Sequence, residues 1–248
     1  MNKYNLKMEK NLNWEKDFNN KLGITEKEYI DNLPNINKEE YSFQNRCISA
    51  DIPRTTEDKN ISGNLEEFFK VFSITNEGLG YKSGMSFIIK TLLELTNNNK
   101  IKTYIIMRNI FENKDLHNLY DGQFQNVINK LELKFKEKMP SLYQHFKNNN
   151  FQIDFSFSLL KTIFCYKFDE NIAKELLKIF IVKNDFDLYL NAYLTILKIN
   201  EEELLNKKDL EIYASMINYK TFDINKYFET LKQLNEYKNK IYKILNKI

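Results

Sequence analysis

Two short stretches of this sequence combine residue types that could serve a functional site. In the first, CISADIPRT, Asp51 precedes Arg54 by three residues and Pro53 stands between them. Because a proline disfavours helical geometry at the residue before it, we predict that Arg54 lies in an irregular segment at a helix end. Such a segment would hold the arginine rigidly and leave its guanidinium exposed. Taken alone, the pattern is explained as well by a surface ion pair between Asp51 and Arg54, worth about a few tenths of a kcal/mol.

The second stretch, GYKSGM, lies in a chain with only 6 glycines, of which Gly78, Gly80 and Gly84 fall close together. Their spacing could be taken for a dinucleotide-binding loop. That loop needs a preceding strand, a βαβ unit and a later acidic residue, and the helical surroundings supply none of these. The sequence also contains no GxxxxGK[ST] motif, so it does not predict a P-loop nucleotide hydrolase.

The elements that must position these stretches are predicted to be helices. Proline is nearly absent, and apolar residues recur at intervals of three and four, as from Met85 to Leu95. We predict further helices over residues 101–111, 123–139, 155–166, 170–182 and 187–199, the last of them in the core. Near the end of the chain, a helical stripe of apolar residues predicts a terminal helix that packs on the body, a coiled-coil seam for a partner being the alternative. The stripe consists of Leu231, Leu234, Tyr237, Ile241, Ile244 and Ile248.

Composition excludes several classes of function. The net charge of +3 comes from interleaved lysines and glutamates, which does not predict a nucleic-acid-binding face. Cys47 and Cys165 form no CxxC or Cys/His cluster, so neither a disulfide framework nor a metal site is expected. We find no signal peptide and no membrane-spanning stretch, and therefore expect a cytoplasmic protein. Residues 1–40 are polar and rich in asparagine, and we expect an N-terminal extension that is ordered in part at best.

Considered together, the two stretches resemble a known family. Ile48-x-x-Asp51-x-x-Arg54 followed by Tyr81-x-x-Gly84-Met85 resembles the paired signature IxxDxxR and YxQGM of TBC domains, the helical GTPase-activating domains for Rab GTPases. The similarity continues through LYDGQFQNVINKLELKFKEKMPSLYQHF and through the segment from FSLLKTIFCYKF to NEEELL. The resemblance implies an all-α, TBC-type, two-lobed helical domain over residues 41–210, followed by a C-terminal helical segment over residues 211–248 that packs on it.

The resemblance also implies roles for individual residues. Arg54 corresponds to an arginine finger inserted in trans into a Rab GTPase, which is worth about 10³–10⁵ in the rate of GTP hydrolysis. Asp51 would hold the motif or the guanidinium in place, and Ser83 occupies the position of the family's glutamine finger. No cofactor is implied for the chain itself, since the partner GTPase holds GTP and Mg²⁺. The remaining binding residues implied are Ile48, Thr55, Tyr81, Gly84 and Met85.

Ser83 leaves the activity open, because its hydroxyl is too short to reach where a glutamine carboxamide would orient the attacking water. The partner's own glutamine could position the water, in which case the chain is a GTPase activator. Alternatively, the chain binds a GTP-loaded Rab without accelerating hydrolysis, or serves as a helical scaffold through its C-terminal stripe. Any of the Rab-linked functions would belong to membrane trafficking, with peripheral association with endomembranes through the Rab as a further expectation.

Overall fold

The described part of the protein consists of helices joined by short connections. The computed structural model describes residues 26–76, 78–111, 114–153, 157–166, 168–208 and 223–245, and contains no strand among them. The predicted all-α fold is confirmed. The α-helices in chain order are α1 Glu26–Asn32, α2 Ser42–Thr55, α3 Lys59–Thr75, α4 Met85–Leu95, α5 Lys100–Phe111, α6 Lys114–His117, α7 Phe124–Lys138, α8 Pro140–Asn148, α9 Phe157–Lys161, α10 Glu170–Lys183, α11 Phe186–Ile199, α12 Glu201–Leu205 and α13 Ile224–Leu245.

The contacts between Cα atoms divide the described residues into two units. One comprises the described residues within 26–127 and 158–166, and the other comprises the described residues within 128–157 and 168–245. Helix α1 and the 3₁₀ turn Leu33–Asn35 fall within the predicted N-terminal extension, and a second 3₁₀ turn, Glu39–Tyr41, spans its predicted end. Residues 1–25 and 209–222 lie outside the described residues. The predicted domain boundaries at 40 and 210 stay predictions.

Helix α3 supplies the core of the first unit. Asp58 caps its N-terminus, because the carboxylate accepts hydrogen bonds from the backbone N–H groups of Asn60 and Ile61. Phe68, Phe69 and Phe72 project from α3 and are completely buried. Each such side chain contributes about 1.5–3 kcal/mol by leaving water, so α3 is the support against which α2 and α4 pack.

A polar cluster attaches α1 to this core. Glu28 on α1 pairs with Arg108 on α5 and accepts a hydrogen bond of 2.6 Å from the Tyr104 hydroxyl. Beside it, the Tyr29 hydroxyl donates to Glu67 on α3, which also pairs with Lys100 at 2.6 Å. These half-buried pairs compensate one another's charge, and α1 is therefore an integral element of the first unit.

Helix α11 is the core of the second unit. Every residue from Tyr189 to Leu197 is buried, as predicted for this segment. Helix α13 packs against α11, with Tyr227 and Leu231 inaccessible to solvent and the Tyr227 hydroxyl donating to the Ala192 carbonyl at 2.6 Å. Helix α13 thus packs on α11 within the second unit through Leu231 and Leu234, which belong to the predicted stripe. The side chains of Tyr237, Ile241 and Ile244, as well as Ile248, lie outside what the structure describes.

The predicted helix over residues 155–166 is wrong in its length. Helix α9 ends at Lys161, and Ile163 and Phe164 then adopt left-handed φ angles of 47° and 64°. Both residues are completely buried, and the Phe164 N–H donates to the Leu159 carbonyl at 2.8 Å, which satisfies an orphan carbonyl of the helix end. Burial of these two side chains outweighs the strain of the left-handed backbone.

Candidate functional site

Helix α2 carries the first group of predicted site residues. Ile48, Ile52 and Thr55 are buried on its inner side, whereas Arg54 is exposed in its last turn. The predicted irregular segment around Pro53 is wrong, because α2 continues through the proline to Thr55 and the Thr56 N–H still donates to the Ile52 carbonyl at 3.2 Å. Near a helix end the missing N–H of proline removes a single bond, and the buried inner side keeps this turn helical.

The Asp51 carboxylate joins Arg54 to Tyr81. Its Oδ1 lies 3.3 Å from Arg54 Nη1, and its Oδ2 accepts a hydrogen bond of 2.8 Å from the Tyr81 hydroxyl. The Arg54 side chain is 79% exposed and that of Asp51 is 21% exposed. One carboxylate therefore has one oxygen fixed by a tyrosine and the other facing a guanidinium that solvent or a partner can reach.

Tyr81 is the rigid member of this arrangement. The residue is 8% exposed, and its ring lies edge-on to that of Phe69, with 4.7 Å between the ring centroids. Burial, followed by the neighbouring Asp51 carboxylate, raises the pKa of Tyr81 well above its ordinary value. The phenol therefore keeps its proton throughout the physiological range and acts only as a donor to Asp51 in this contact.

Ser83 lies two residues beyond Tyr81 in an exposed turn. The Met85 N–H donates to the Lys82 carbonyl at 3.2 Å, and Gly84 has φ of 97° at the position that precedes α4. Lys82 and Ser83 are both exposed, while Met85 is completely buried at the start of α4. The left-handed Gly84 thus lets the chain turn sharply from an exposed serine into a buried methionine.

The second glycine of this loop, Gly80, is constrained by α2. It has φ of 59°, and a Cβ atom placed on it would lie 2.6 Å from Gln44 Nε2. Gln44 on α2 therefore packs directly on the backbone that leads into Tyr81. Gly78, in contrast, has no heavy atom within 4 Å of such a Cβ.

We expect Gly80→Ala to lower the free energy of unfolding by about 1–2 kcal/mol, because alanine is strained at this φ and must displace Gln44. Urea denaturation would measure the loss, and Gly78→Ala is the matched control, with little change expected. Adding Gln44→Ala to Gly80→Ala should restore only the part of the stability that the contact with Gln44 costs, because the strain at this φ remains. Equal stability of the two glycine variants would contradict this account of the loop.

A buried hydrogen bond fastens the end of α2 to the beginning of α4. The Thr55 hydroxyl donates to the Ser86 hydroxyl at 2.7 Å, and both residues are buried. This bond connects the two stretches identified in the sequence, because one stretch ends α2 and the other leads into α4. Ile48 contributes only through the core, since it has no exposed surface.

Removing the Tyr81 hydroxyl tests the link between the two stretches. We expect Tyr81→Phe to cost about 1 kcal/mol of stability, since a single hydrogen bond to a carboxylate is lost. The phenylalanine keeps the ring contact with Phe69, so the fold should be retained. If Asp51 loses its fixed position, the activity that depends on Arg54 should fall several-fold although the variant remains folded. Parallel thermal melting and activity measurements would reveal this difference. A variant as active as the wild type would show that the hydroxyl does not position Arg54.

Several residues of this arrangement have no signal in the sequence. Gln44, Phe69 and Ser86 contact the predicted residues, yet each looks like an ordinary helical residue. Lys161 and Thr162, far along the chain, pack on Gly84. Among the residues that the structure describes, no group of three or more His, Cys, Asp or Glu could hold a metal ion.

The fold and this arrangement define an all-α domain with an exposed arginine at a helix end, tied to a glycine-containing turn. The model of the Rab-GTPase-TBC domain family matches residues 4–205, and the chain belongs to this family. The Rab GTPase-activating protein eat-17 of Caenorhabditis elegans is 25% identical over 199 residues, which cover 76% of this chain and 22% of that protein. The chain therefore matches only about a fifth of the length of this relative.

Solved structures show the same fold. The crystal structure of the Chlamydomonas flagellar RabGAP TBC domain superposes with a TM-score of 0.69 at 17% identity, covering 88% of this chain and 77% of that one. The Ypt/Rab-GAP domain of Gyp1p superposes with a TM-score of 0.73 at 14% identity, covering 91% and 81% respectively. Of the helices that the structure describes, none is both long and apolar enough to cross a membrane.

Proposed function

We propose that this chain is a GTPase-activating domain for a Rab-family GTPase, and that Arg54 acts in trans on the GTP bound by the partner. The observation that carries the proposal is the exposed Arg54 guanidinium held beside Asp51, which Tyr81 fixes in turn. Membership of the Rab-GTPase-TBC domain family and the name of the eat-17 relative support the partner class.

Phosphoryl transfer from GTP develops negative charge on the transferring group, and a positioned cation stabilises it. The contact of 3.3 Å between Arg54 and Asp51 is a long, exposed one. Such pairs contribute at most about 1 kcal/mol, so a phosphate can displace the carboxylate at little cost. Asp51 keeps the guanidinium ordered before docking, and the partner supplies GTP and Mg²⁺.

The turn at Ser83 determines how the second requirement, an oriented water, is met. Ser83 is exposed two residues after Tyr81, and its side chain can be reached by a docked partner. The short hydroxyl of Ser83 cannot replace a carboxamide, so we propose that the partner's own glutamine orients the water. Arg54 then provides the catalytic contribution of this chain.

A second function is favoured by the same residue. If Ser83 leaves the water unoriented, the chain binds a GTP-loaded Rab without accelerating hydrolysis. A scaffold that uses the apolar stripe of α13 has less support, because the described part of that stripe is buried within its own unit. The association with endomembranes through the Rab follows from either of the first two functions.

Single-turnover GTP hydrolysis across a panel of Rab GTPases tests the proposal. The activator predicts acceleration of at least one Rab, whereas the binder predicts measurable affinity for a GTP-loaded Rab at an unchanged hydrolysis rate. Binding should be measured with a non-hydrolysable GTP analogue, so that turnover does not obscure it. Absence of both acceleration and binding for the entire panel would contradict both functions.

A further inference from the structure

Lys161 packs on the turn that carries Ser83. A Cβ atom placed on Gly84 would lie 3.8 Å from Lys161 Cγ and 3.4 Å from Thr162 Cγ2. The C-terminal end of α9 therefore covers one side of the turn with the aliphatic part of the lysine. Lys82, two residues before Gly84, is exposed on the same turn.

Tyr120 holds Lys161 at two points. The Tyr120 hydroxyl donates to the Lys161 carbonyl, and the Lys161 ammonium lies 5.8 Å from the centroid of the Tyr120 ring. Tyr120 is itself buried. A cation–π contact attracts an ammonium to a defined place without neutralising its charge, so the positive charge remains available to another group.

The two lysines beside the turn, Lys82 and Lys161, have no carboxylate partner among the described residues. Partial burial, together with the charge of Lys82, lowers the pKa of Lys161. Within the described residues, neither lysine has a carboxylate within ion-pair distance, in contrast to Lys90 on α4, which pairs with Glu94 at 2.6 Å. Two neighbouring like charges repel each other, and an anion placed between them would relieve the repulsion.

We propose that Lys82 and Lys161 form an anion-binding pair beside Ser83 that contacts a negatively charged group of the docked, GTP-loaded GTPase. This inference rests on the proposed function, since it requires a GTPase to bind at the Arg54 face. The group is either a γ-phosphate oxygen of the nucleotide or a carboxylate of the GTPase, both of which are oxygen anions that an ammonium binds. The pair would strengthen docking at the turn where the family's glutamine is replaced.

The test measures affinity for a Rab loaded with a non-hydrolysable GTP analogue, at low and at high salt. We expect Lys161→Met and Lys82→Met each to weaken binding about fivefold at low salt, and the double variant more than either, with a reduced dependence on salt. Lys27→Met is the matched control, because Lys27 is an exposed lysine that already pairs with Asp31. Its affinity should equal that of the wild type.

Lys161→Arg separates charge from packing, since it keeps the cation and should retain most of the affinity. Binding to the GDP-loaded Rab identifies the source of the anion: a loss confined to the GTP-loaded form indicates a γ-phosphate oxygen, and an equal loss in both forms indicates a carboxylate. The proposal is overturned if the double variant binds like the wild type, or if Lys161→Arg is as weak as Lys161→Met.

The proposed function is tested separately, by measuring Rab binding and GTP hydrolysis with the wild-type chain alone. A wild type that binds a Rab without accelerating hydrolysis removes the activator function but leaves the effect of the lysines measurable. A wild type that binds no Rab in either nucleotide state overturns both proposals before any variant is made.

Discussion

Replacement of Arg54 by alanine is expected to abolish the acceleration of GTP hydrolysis, with a loss of about 10³-fold or more in the single-turnover rate. The Arg54 side chain is 79% exposed and makes one long contact with Asp51, so its removal should leave thermal stability nearly unchanged. A lysine at this position should recover only part of the rate, because it lacks the planar fork of donors that a phosphate accepts.

Arg46 provides the matched control for this experiment. It is also an exposed arginine on α2, two turns before Arg54, so Arg46→Ala removes the same charge from the same helix. The Arg46 variant should accelerate hydrolysis like the wild type. If Arg54→Ala retains full acceleration, or if both arginine variants lose it equally, Arg54 does not act as a finger in trans.

The second large effect is expected at Ser83, where glutamine should increase the rate of hydrolysis. A carboxamide at this exposed turn can both accept from and donate to an attacking water, and a positioned polar group of this kind is worth about 10²-fold. The increase should be largest on a Rab whose own water-orienting glutamine has been replaced by alanine. In an unmodified Rab, its glutamine and the introduced glutamine would both orient the same water.

Ser83→Asn is the control for this gain, because asparagine carries the same carboxamide on a side chain shorter by one methylene. It should give a smaller increase than glutamine if reach determines the effect. A Ser83→Gln variant with an unchanged rate on both forms of the Rab would contradict the assignment of Ser83 to the water-orienting position. Equal stability of the variants, measured by urea denaturation, ensures that the comparison reports function.

Local patterns in the sequence predicted most helices well. Apolar residues spaced three and four positions apart located α4, α7 and α11 to within about one residue at each end. The spacing is informative because the residues on the buried side of a helix recur with the helical period. The same reasoning failed near Pro53 and after Lys161. At both places tertiary burial opposes the local preference: the inner side of α2 keeps a proline-containing turn helical, and buried Ile163 and Phe164 end α9 early.

The candidate site divides in the same way between local and distant information. Two motifs that lie 26 residues apart in the sequence predicted Asp51, Arg54, Tyr81 and Ser83 as site residues. The sequence contained no sign that the Tyr81 hydroxyl donates to Asp51, or that Thr55 donates to Ser86. Hydrogen bonds between distant residues depend on how α2, α3 and α4 pack, and this packing has no local signature.

By itself, the sequence determined the helical class of this protein, the resemblance to TBC domains and the residues that deserve testing, because these depend on residue type and spacing along the chain. Only the tertiary structure decided that Arg54 is an exposed residue on a regular helix, that Tyr81 fixes its carboxylate partner, and that Lys161 from a remote helix packs against Gly84. Exposure, hydrogen bonding and charge proximity arise from the packing of helices against one another, and a linear pattern does not encode those distances.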